Sequence, residues 1–332
     1  MASDSLSVGR LAPPDAARIT RGTAMLSVAV AGLLILAKLW AWVATDSVSI
    51  LASLADSGLD FAASVFTLGA VSYAAAPPDA THRYGHGKAE SFAGLFQAML
   101  VGVSAALIGI EAVDHLYNPR VIAGGTIGVA VMLLSIVLTL ALIRMQTRAV
   151  RKTGSVATAG DRAHYAADLG ANVAVIAGVG ASAFLDIPMA DPVIGLGVAV
   201  WLGWGAFGVV REAASQLMDH ELSSESRERI KALARGDDAR LEVHQLRTRA
   251  SGPIIHIQYH LDLPNTISLV EAHRIMVASE ERILSEFPAA DILIHPDPKG
   301  AEPHGGDFFG ETGAYYPASA DAADNDESDS GA

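Results

Sequence analysis

Two pairs of side chains that can bind a metal lie inside apolar stretches of the sequence, and the members of each pair are four residues apart. Asp56 and Asp60 occur in LASLADSGLD, and His164 and Asp168 occur in DRAHYAADLG. Residues four apart share one face of a helix, so each segment would present both of its side chains to the same side. Together the pairs offer three oxygen ligands and one nitrogen ligand, a number and mix that suit tetrahedral Zn²⁺.

Carboxylates placed side by side in an apolar setting repel one another, and something must offset that repulsion. A bound dication cancels it, and in the absence of the dication protons can bind to the crowded carboxylates. Ionisable groups within membrane segments are candidates for function by default. We therefore predict a site that a divalent ion and protons occupy in turn. The alternative is a polar cluster that packs helices and binds no ion, although packing hardly explains two such pairs.

A second candidate site lies in the segment PPDATHRYGHGKAES, which spans residues 77–91. Asp79, His82 and His86 could converge there on one small metal site. The proline pair would end the preceding helix, and the two glycines permit tight turns. The alternative is a solvated loop in which the histidines are incidental, and the spacing favours neither interpretation.

The sequence beyond residue 211 is rich in histidine, which makes it a third region of interest. His295 and Asp297 are close enough in sequence to chelate one ion. His256 and His260 lie on one face of a predicted strand, so His256 could add to a site there. A surface imidazole is the simpler interpretation of His256.

The elements that carry the first two pairs are long and apolar. The chain has 332 residues, of which 51% are hydrophobic and 18% are charged, and its mean hydropathy is +0.34. A bilayer core needs about 20 mainly apolar residues per helix, and the sequence predicts six such spans at residues 23–44, 48–74, 91–116, 121–143, 164–184 and 189–210. A soluble all-helical protein is the alternative, but its helices would show a polar face. We interpret Lys38, inside the first span, as a long stem that reaches an interface or a nearby carboxylate.

Basic residues alternate between the loops on the two sides of these spans. Arg10, Arg18 and Arg21 precede the first span, five basic residues separate the fourth from the fifth, and Arg211 follows the sixth, whereas the opposite loops hold only Arg120. Basic residues collect on the cytoplasmic side of membranes. The pattern therefore predicts an even number of spans with both termini in the cytoplasm.

The segment after the spans predicts a small two-layer domain with the element order αββαβ. SSESRERIKALA is typical of a capped helix that begins near Ser223 or Ser224. RLEVHQLRTRA and IIHIQYHLDL alternate as strands do on either side of a turn, and ADILIHPDP is typical of a short strand. SLVEAHRIMVASEERILSEF, between them, has helical periodicity.

Composition divides the chain into four parts and narrows its partners. We predict a cytoplasmic N-terminal tail at 1–21, a membrane domain at 22–210, a cytoplasmic metal-binding domain at 211–298 and a disordered acidic tail at 299–332. The last part lacks the apolar content needed to fold. The formal charge of −13 argues against nucleic acid as a partner, and the absence of cysteine leaves oxygen and nitrogen as the metal ligands.

Three segments, SVSILASLADSGLD, HRYGHGKAES and HYAAD, resemble the motifs of the cation diffusion facilitator family. The resemblance is close to its bacterial zinc and iron exporters of the ferrous-iron efflux type, and it covers about residues 20–298. It implies an α-helical membrane protein in which six transmembrane helices precede a cytoplasmic, metallochaperone-like αββαβ domain. It also implies a homodimer in the bilayer, for a bacterial chain in the inner membrane.

The same resemblance implies particular site residues. The implied transport site comprises Asp56, Asp60, His164 and Asp168, and the loop site comprises Asp79, His82 and His86. A binuclear zinc site near the dimer interface comprises His244, His260, His273, His295 and Asp297. Lys88 and Asp219 correspond to an interfacial salt bridge, for which two unrelated surface charges are the alternative.

Residues and resemblance together predict an antiporter that exports a divalent metal ion, chiefly Zn²⁺, in exchange for protons. The resemblance implies that His164 argues against manganese, because manganese-type members of the family usually change that histidine, while Fe²⁺ and Cd²⁺ stay open as cargo. One rival is a membrane-anchored metal sensor, which would leave the buried aspartates unexplained. A membrane metalloenzyme would need a motif such as His-Glu-x-x-His, which the sequence lacks. We therefore expect a transporter and not an enzyme.

Overall fold

In a computed structural model of the chain, the residues that can be described are 8–45, 48–117, 126–185 and 189–300. They form two compact units. The helical unit comprises the chain as far as His220 together with Ala250–Ile254, and the αββαβ unit comprises the remainder from Glu221 onward. The acidic tail predicted from residue 299 lies, from 301 to its end, outside the described residues.

The helical unit is built from long helices that follow one another along the chain. Within the described ranges these are α1 (Pro13–Thr45), α2 (Val48–Ala74), α3 (Lys88–Tyr117), α4 (Thr126–Thr153), α5 (Val156–Leu185) and α6 (Ala190–Leu217). The shortest has 27 residues. At about 1.5 Å per residue, each is longer than the roughly 30 Å of a bilayer core.

Five helices in the described part of the chain are apolar enough, over sufficient length, to cross a membrane. They are Pro13–Ala44, Ser53–Ala74, Lys88–Tyr117, Met132–Thr153 and Pro192–Leu217. Large apolar side chains on these helices face outward, including Trp40 at 67% exposure and Trp204 at 72%. The remaining long helix, α5, has the length to span but carries Asp161, His164 and Asp168 near its start, and its contacts with α3 and α6 hold it in the bundle.

Small residues let these helices approach closely. A Cβ atom added to Gly160 on α5 would lie 2.9 Å from the Cβ of Gln97 and 3.0 Å from the Cα of Gly94, both on α3. Buried alanines, among them Ala93 and Ala157, occupy the same interface. Close backbone approach at small residues is the usual way in which membrane helices gain packing contacts.

The helix boundaries differ from the predicted spans where polar residues continue a helix. α1 begins at Pro13, inside the predicted N-terminal tail, and α4 continues to Thr153 past the predicted end at 143. α5 begins at Val156, about two turns before the predicted start at 164. Hydropathy marks the part of a helix that suits lipid, whereas the helical hydrogen bonds extend as far as the backbone geometry allows.

The αββαβ unit has the predicted element order. It contains α7 (Ser224–Arg235), β1 (Glu242–Ser251), β2 (Ile254–Leu263), α8 (Leu269–Glu286) and β3 (Ala290–Pro298). The Ser223 hydroxyl accepts the Ser226 N–H and caps α7, as its sequence predicts. The sheet order among the described strands is β1-β2-β3.

The register of this sheet brings histidines together. β2 and β3 run parallel, and His260 pairs with His295 while Asp262 pairs with Asp297. Alternate residues of β2, including Ile257, Tyr259 and Leu261, are buried against the helices. Residues at the paired positions on the other face therefore stand side by side.

Candidate metal sites

The transport site predicted from the sequence combines side chains of α2 and α5. Nε2 of His164 lies 2.9 Å from Oδ1 of Asp60 and 3.9 Å from Oδ2 of Asp168. One donor atom from each of these three residues lies within 4.8 Å of the other two. His164 is 7% exposed, so the set is largely shielded from solvent. Such a set can hold a divalent ion, or a proton between imidazole and carboxylate.

Asp56, the fourth predicted ligand, lies in the same cavity but outside that compact set. The cavity has a volume of about 100 Å³, and Asp56 lines it together with Asp60 and Asp168. Asn172, on the same wall, was not predicted. It continues the four-residue spacing of His164 and Asp168 by one more turn, and that spacing was the signal that could have found it.

Lys38 of α1 also lines this cavity. Its ammonium group donates to the hydroxyl of Ser57 at 2.5 Å and to the carbonyl oxygen of Ser53 at 3.1 Å. Both acceptors belong to α2. The side chain of Lys38 therefore reaches the cavity that the carboxylates line. The sequence left two destinations open for it, a membrane interface or a nearby carboxylate, and the structure agrees with the second.

A buried polar network that the sequence analysis missed lies one turn before His164. The hydroxyl of Ser27 and the amide of Gln146 donate to Oδ2 of Asp161 at 2.6 and 2.8 Å. Tyr165, next along α5, donates to the carbonyl oxygen of Ser27 at 3.2 Å and lies 2.9 Å from the hydroxyl of Ser64. The network links α5 to α1, α2 and α4, so it holds the helix that carries two predicted ligands.

The loop between α2 and α3 brings together the second predicted set. Oδ2 of Asp79 lies 3.3 Å from Nε2 of His86, and Oδ1 of Asp79 lies 3.2 Å from Nδ1 of His82. Gly85 has a φ of +80°, which lets the chain turn between the two histidines. One donor atom from each member of the set lies within 4.8 Å of the others.

Within the loop set, the carboxylate of Asp79 accepts several hydrogen bonds from neighbouring residues. The backbone N–H of His82, the hydroxyl of Thr81 and the backbone N–H of Thr81 donate to its carboxylate, in that order of influence, and hold the pKa of Asp79 well below its ordinary value. Hydrogen bonds to the charged form favour that form. Asp79 is therefore a carboxylate ready to bind a cation at any physiological pH.

In the αββαβ unit, Asp297 is the centre of the third set. Its Oδ2 lies 2.7 Å from Nδ1 of His260 and 3.5 Å from Nε2 of His244. Its Oδ1 lies 3.2 Å from Nε2 of His295, whose ring is 4.6 Å from that of His260. Asp262, which the sequence analysis did not single out, lies 3.1 Å from Nε2 of His244.

Two other histidines of this unit lie apart from that set in the described structure. His273 is exposed on α8, and it is not among the residues whose donor atoms converge. His256 is 5% exposed, and its Nδ1 lies 2.9 Å from Asp291 across the β2–β3 pairing. The interpretation of His256 as a surface imidazole was wrong, because its side chain is buried although it lies on the same face of β2 as His260.

Lys88 and Asp219 form an ion pair within one chain. Nζ of Lys88 lies 2.9 Å from Oδ1 of Asp219, and each side chain is 39% exposed. Asp219 adopts a φ of +55°, just after the end of α6. The pair joins the start of α3 to the end of the helical unit.

Comparisons with known proteins match the chain from its first long helix to its last strand. The family pattern described as the cation efflux transmembrane domain matches residues 24–218, and the one for the cytoplasmic domain of cation efflux proteins matches 222–299. A cation-efflux pump FieF of Klebsiella pneumoniae is 38% identical over 286 residues, which are 86% of this chain and 95% of that protein.

The comparisons also include one further relative and one solved structure. A cation-efflux pump FieF of Shewanella oneidensis is 40% identical over 277 residues, which are 83% of this chain and 93% of that protein. A solved chain of the zinc transporter CzrB, in its zinc form, is 35% identical and covers 26% of this chain and 100% of its own length, with a TM-score of 0.23.

Proposed function

We propose a function from the premise that this chain belongs to the cation efflux family. It is a membrane transporter of cations and not an enzyme. We infer that its cargo is a divalent metal ion, chiefly Zn²⁺, and that protons move in the opposite direction. The observation that carries this inference is the convergence of Asp60, His164 and Asp168 within 4.8 Å in the helical unit.

The geometry of this set supports an exchange between metal and proton. The 2.9 Å between His164 and Asp60 is a hydrogen-bond distance, and a proton between imidazole and carboxylate holds the two groups there. Tetrahedral Zn²⁺ binds such ligands at about 2.0–2.2 Å, which separates neighbouring donor atoms by about 3.4 Å. A metal ion therefore replaces the proton when the two helices part slightly, and returning protons expel the metal.

The ligand set favours zinc without excluding its chemical neighbours. One imidazole nitrogen and carboxylate oxygens suit Zn²⁺, whereas affinity alone does not separate Zn²⁺ from Fe²⁺, because selectivity depends on geometry and on metal supply. Asp56 completes a set of four when the ion is bound. We include Fe²⁺ and Cd²⁺ as competing cargoes in the experiment below.

The remaining sets belong to the same proposal. Asp79, His82 and His86 bind a metal that tunes transport, and the set around Asp297 binds zinc that regulates the cytoplasmic domain. The family pattern matched by residues 222–299 supports a homodimer, in which the exposed His273 would complete a site near the dimer interface. We also propose, from the distribution of basic residues between the loops, that both termini lie in the cytoplasm.

Transport by the purified chain in liposomes tests the proposal. With a pH-sensitive dye inside, we expect zinc added outside to drive proton movement in wild type and not in Asp60→Ala or Asp168→Ala. Asp114→Ala, in α3 and away from the lining of the cavity, is the matched control and should transport normally. Unimpaired zinc-driven proton flux in the two ligand variants would exclude this site.

The same assay separates the alternatives. Repeating it with Fe²⁺ under reducing conditions and with Cd²⁺ ranks the cargoes. A membrane-anchored sensor would bind zinc but move neither zinc nor protons across the liposome membrane, so binding without flux in wild type would favour the sensor.

A further inference from the structure

The charged side chains that line the cavity of the helical unit do not all carry the same sign. Among the described residues, Asp56, Asp60 and Asp168 line it with Lys38. The ammonium of Lys38 therefore shares one cavity with all three carboxylates, and charges this close act on one another through space. A lysine beside a cation site is unexpected, because it repels the ion that the carboxylates attract.

The hydrogen bonds of Lys38 keep its charge in the wall of the cavity. Its ammonium group donates to the hydroxyl of Ser57 and to the carbonyl oxygen of Ser53. Both acceptors are neutral oxygens of α2, so these bonds leave the carboxylates available to another cation. Ser57 is 2% exposed, and the ammonium is therefore held at a buried anchor.

The balance of charge suggests what this arrangement does. Three ionised carboxylates and one ammonium leave two negative charges when His164 is neutral. One divalent cation neutralises that remainder, and so do two protons. Without Lys38, a bound dication would leave one negative charge uncompensated among membrane-spanning helices, where an unpaired charge is costly.

We propose that Lys38 is a fixed positive charge that limits the cavity to the net charge of a single divalent cation. This inference rests on the proposed function, since it assumes that the cavity is the transport site. Lys38 then weakens metal binding enough for the ion to leave. It is a specificity-determining residue and not a metal ligand.

Zinc binding to the purified full-length chain tests this role. A background of Asp79→Ala with Asp297→Ala removes the other two sets. At pH 8 we expect Lys38→Met and Lys38→Gln to bind zinc roughly 10- to 100-fold more tightly than the background chain, as expected for removal of one nearby like charge at an effective dielectric constant near 20. Both variants should also turn over more slowly in liposomes, because the metal leaves more slowly.

Three matched variants separate charge from packing. Lys38→Arg keeps the charge, so its affinity for zinc should lie within about threefold of that of the background chain, a difference of about 0.6 kcal/mol. Lys38→Gln can keep a hydrogen bond to Ser57 but not the charge, so its affinity should follow that of Lys38→Met. Lys152→Gln, exposed at the end of α4, should leave affinity unchanged.

The outcomes are distinguishable from failure of the proposed function. If the background chain binds no zinc, the transport site itself is refuted. If it binds zinc but Lys38→Met and Lys38→Gln bind equally or more weakly, the role of Lys38 alone is overturned. Should both variants fail to fold, Ser57→Ala decides, because it frees the ammonium of Lys38 from its hydroxyl acceptor and lets the ammonium compete with zinc for the carboxylates. Zinc binding at least threefold weaker than that of the background chain supports the inference, and unchanged binding contradicts it.

Discussion

The two aspartates of α2, Asp56 and Asp60, occupy different positions relative to His164. Asp56 and Asp60 share one face of α2, yet it is Asp60 whose oxygen lies 2.9 Å from His164, while Asp56 lies in the wall of the cavity. We interpret Asp60 as the ligand that also holds a proton with His164, and Asp56 as the ligand that approaches when the metal binds.

Asp79 shows how a surrounding backbone sets the charge of one carboxylate. Its pKa lies below the ordinary value because backbone and hydroxyl donors stabilise the ionised form. For a depressed pKa, the stabilisation is fully present above the ordinary range, near 3.9 for aspartate, and is lost only as pH falls through the lower folded value. Asp79 is therefore ionised throughout the physiological pH range.

Asp79→Asn tests that assignment. It keeps one acceptor oxygen for the loop but removes the charge, so we expect at least tenfold weaker zinc binding to the loop set at pH 7. Zinc titrations from pH 5.5 to 7.5, in a background of Asp168→Ala and Asp297→Ala, should give a constant ratio of wild-type to variant affinity. A ratio that approaches one at the acidic end would mean that Asp79 protonates there, contrary to this expectation.

Among the helices, α5 is the one whose position depends on a buried polar network. It carries His164 and Asp168 on one face, and Asp161 one turn earlier accepts hydrogen bonds from Ser27 of α1 and Gln146 of α4. These bonds are inside the bundle, where Asp161 is 1% exposed. The network fixes the rotation of α5 about its axis and its position along that axis. It thereby fixes the positions of the two predicted ligands on α5, His164 and Asp168.

Asp161→Ala should destabilise the helical unit. It removes the shorter of two hydrogen bonds from each of Ser27 and Gln146, which keep longer bonds to the Thr23 carbonyl and the Ser27 hydroxyl. The loss of a hydrogen bond costs about 0.5–1.5 kcal/mol. We expect a clearly lower melting temperature, measured by tryptophan fluorescence in detergent, and a smaller drop for Asp161→Asn, which keeps one acceptor. Thr147→Ala, which removes a hydroxyl bonded to its own helix, is the control. Equal melting temperatures for Asp161→Ala and this control would contradict the positioning role.

At the scale of the whole molecule, metal-capable sets occur in both units, and each set is assembled from residues of its own unit. Asp60, His164 and Asp168 belong to the helical unit, and His244, His260 and Asp297 belong to the αββαβ unit. Each unit also has buried apolar residues of its own. Metal binding in one unit therefore does not require a ligand from the other.

Asp297→Ala should remove zinc binding from the αββαβ unit alone. Asp297 lies within 3.5 Å of His244, His260 and His295, so its loss removes the shared ligand of all three. We expect zinc to stabilise the wild-type chain against heat through this set and to do so less in the variant, while zinc binding at the transport set persists. Loss of binding at both sets would show that they are linked.

Much of the architecture could be predicted because it follows from local patterns. Hydropathy located the long helices, period-two alternation located β1 and β2, and spacing of four placed His164 with Asp168. What these patterns could not locate depends on distant packing. In the sequence, Asp161 resembles an ordinary acidic residue in the first turns of a helix. Its burial depends on Ser27 and Gln146, which are 134 and 15 residues away in the chain.

The sequence by itself determined the types of metal ligand, their helical and strand positions and the family to which the chain belongs, since these are properties of nearest neighbours and of composition. The tertiary structure alone decided that Asp60 joins His164 and Asp168 in the compact set while Asp56 lies outside it. It also decided that Lys38 extends into the same cavity and that His256 is buried. Those outcomes depend on how helices rotate and pack against one another, and such rotations are set by contacts between residues far apart in the chain.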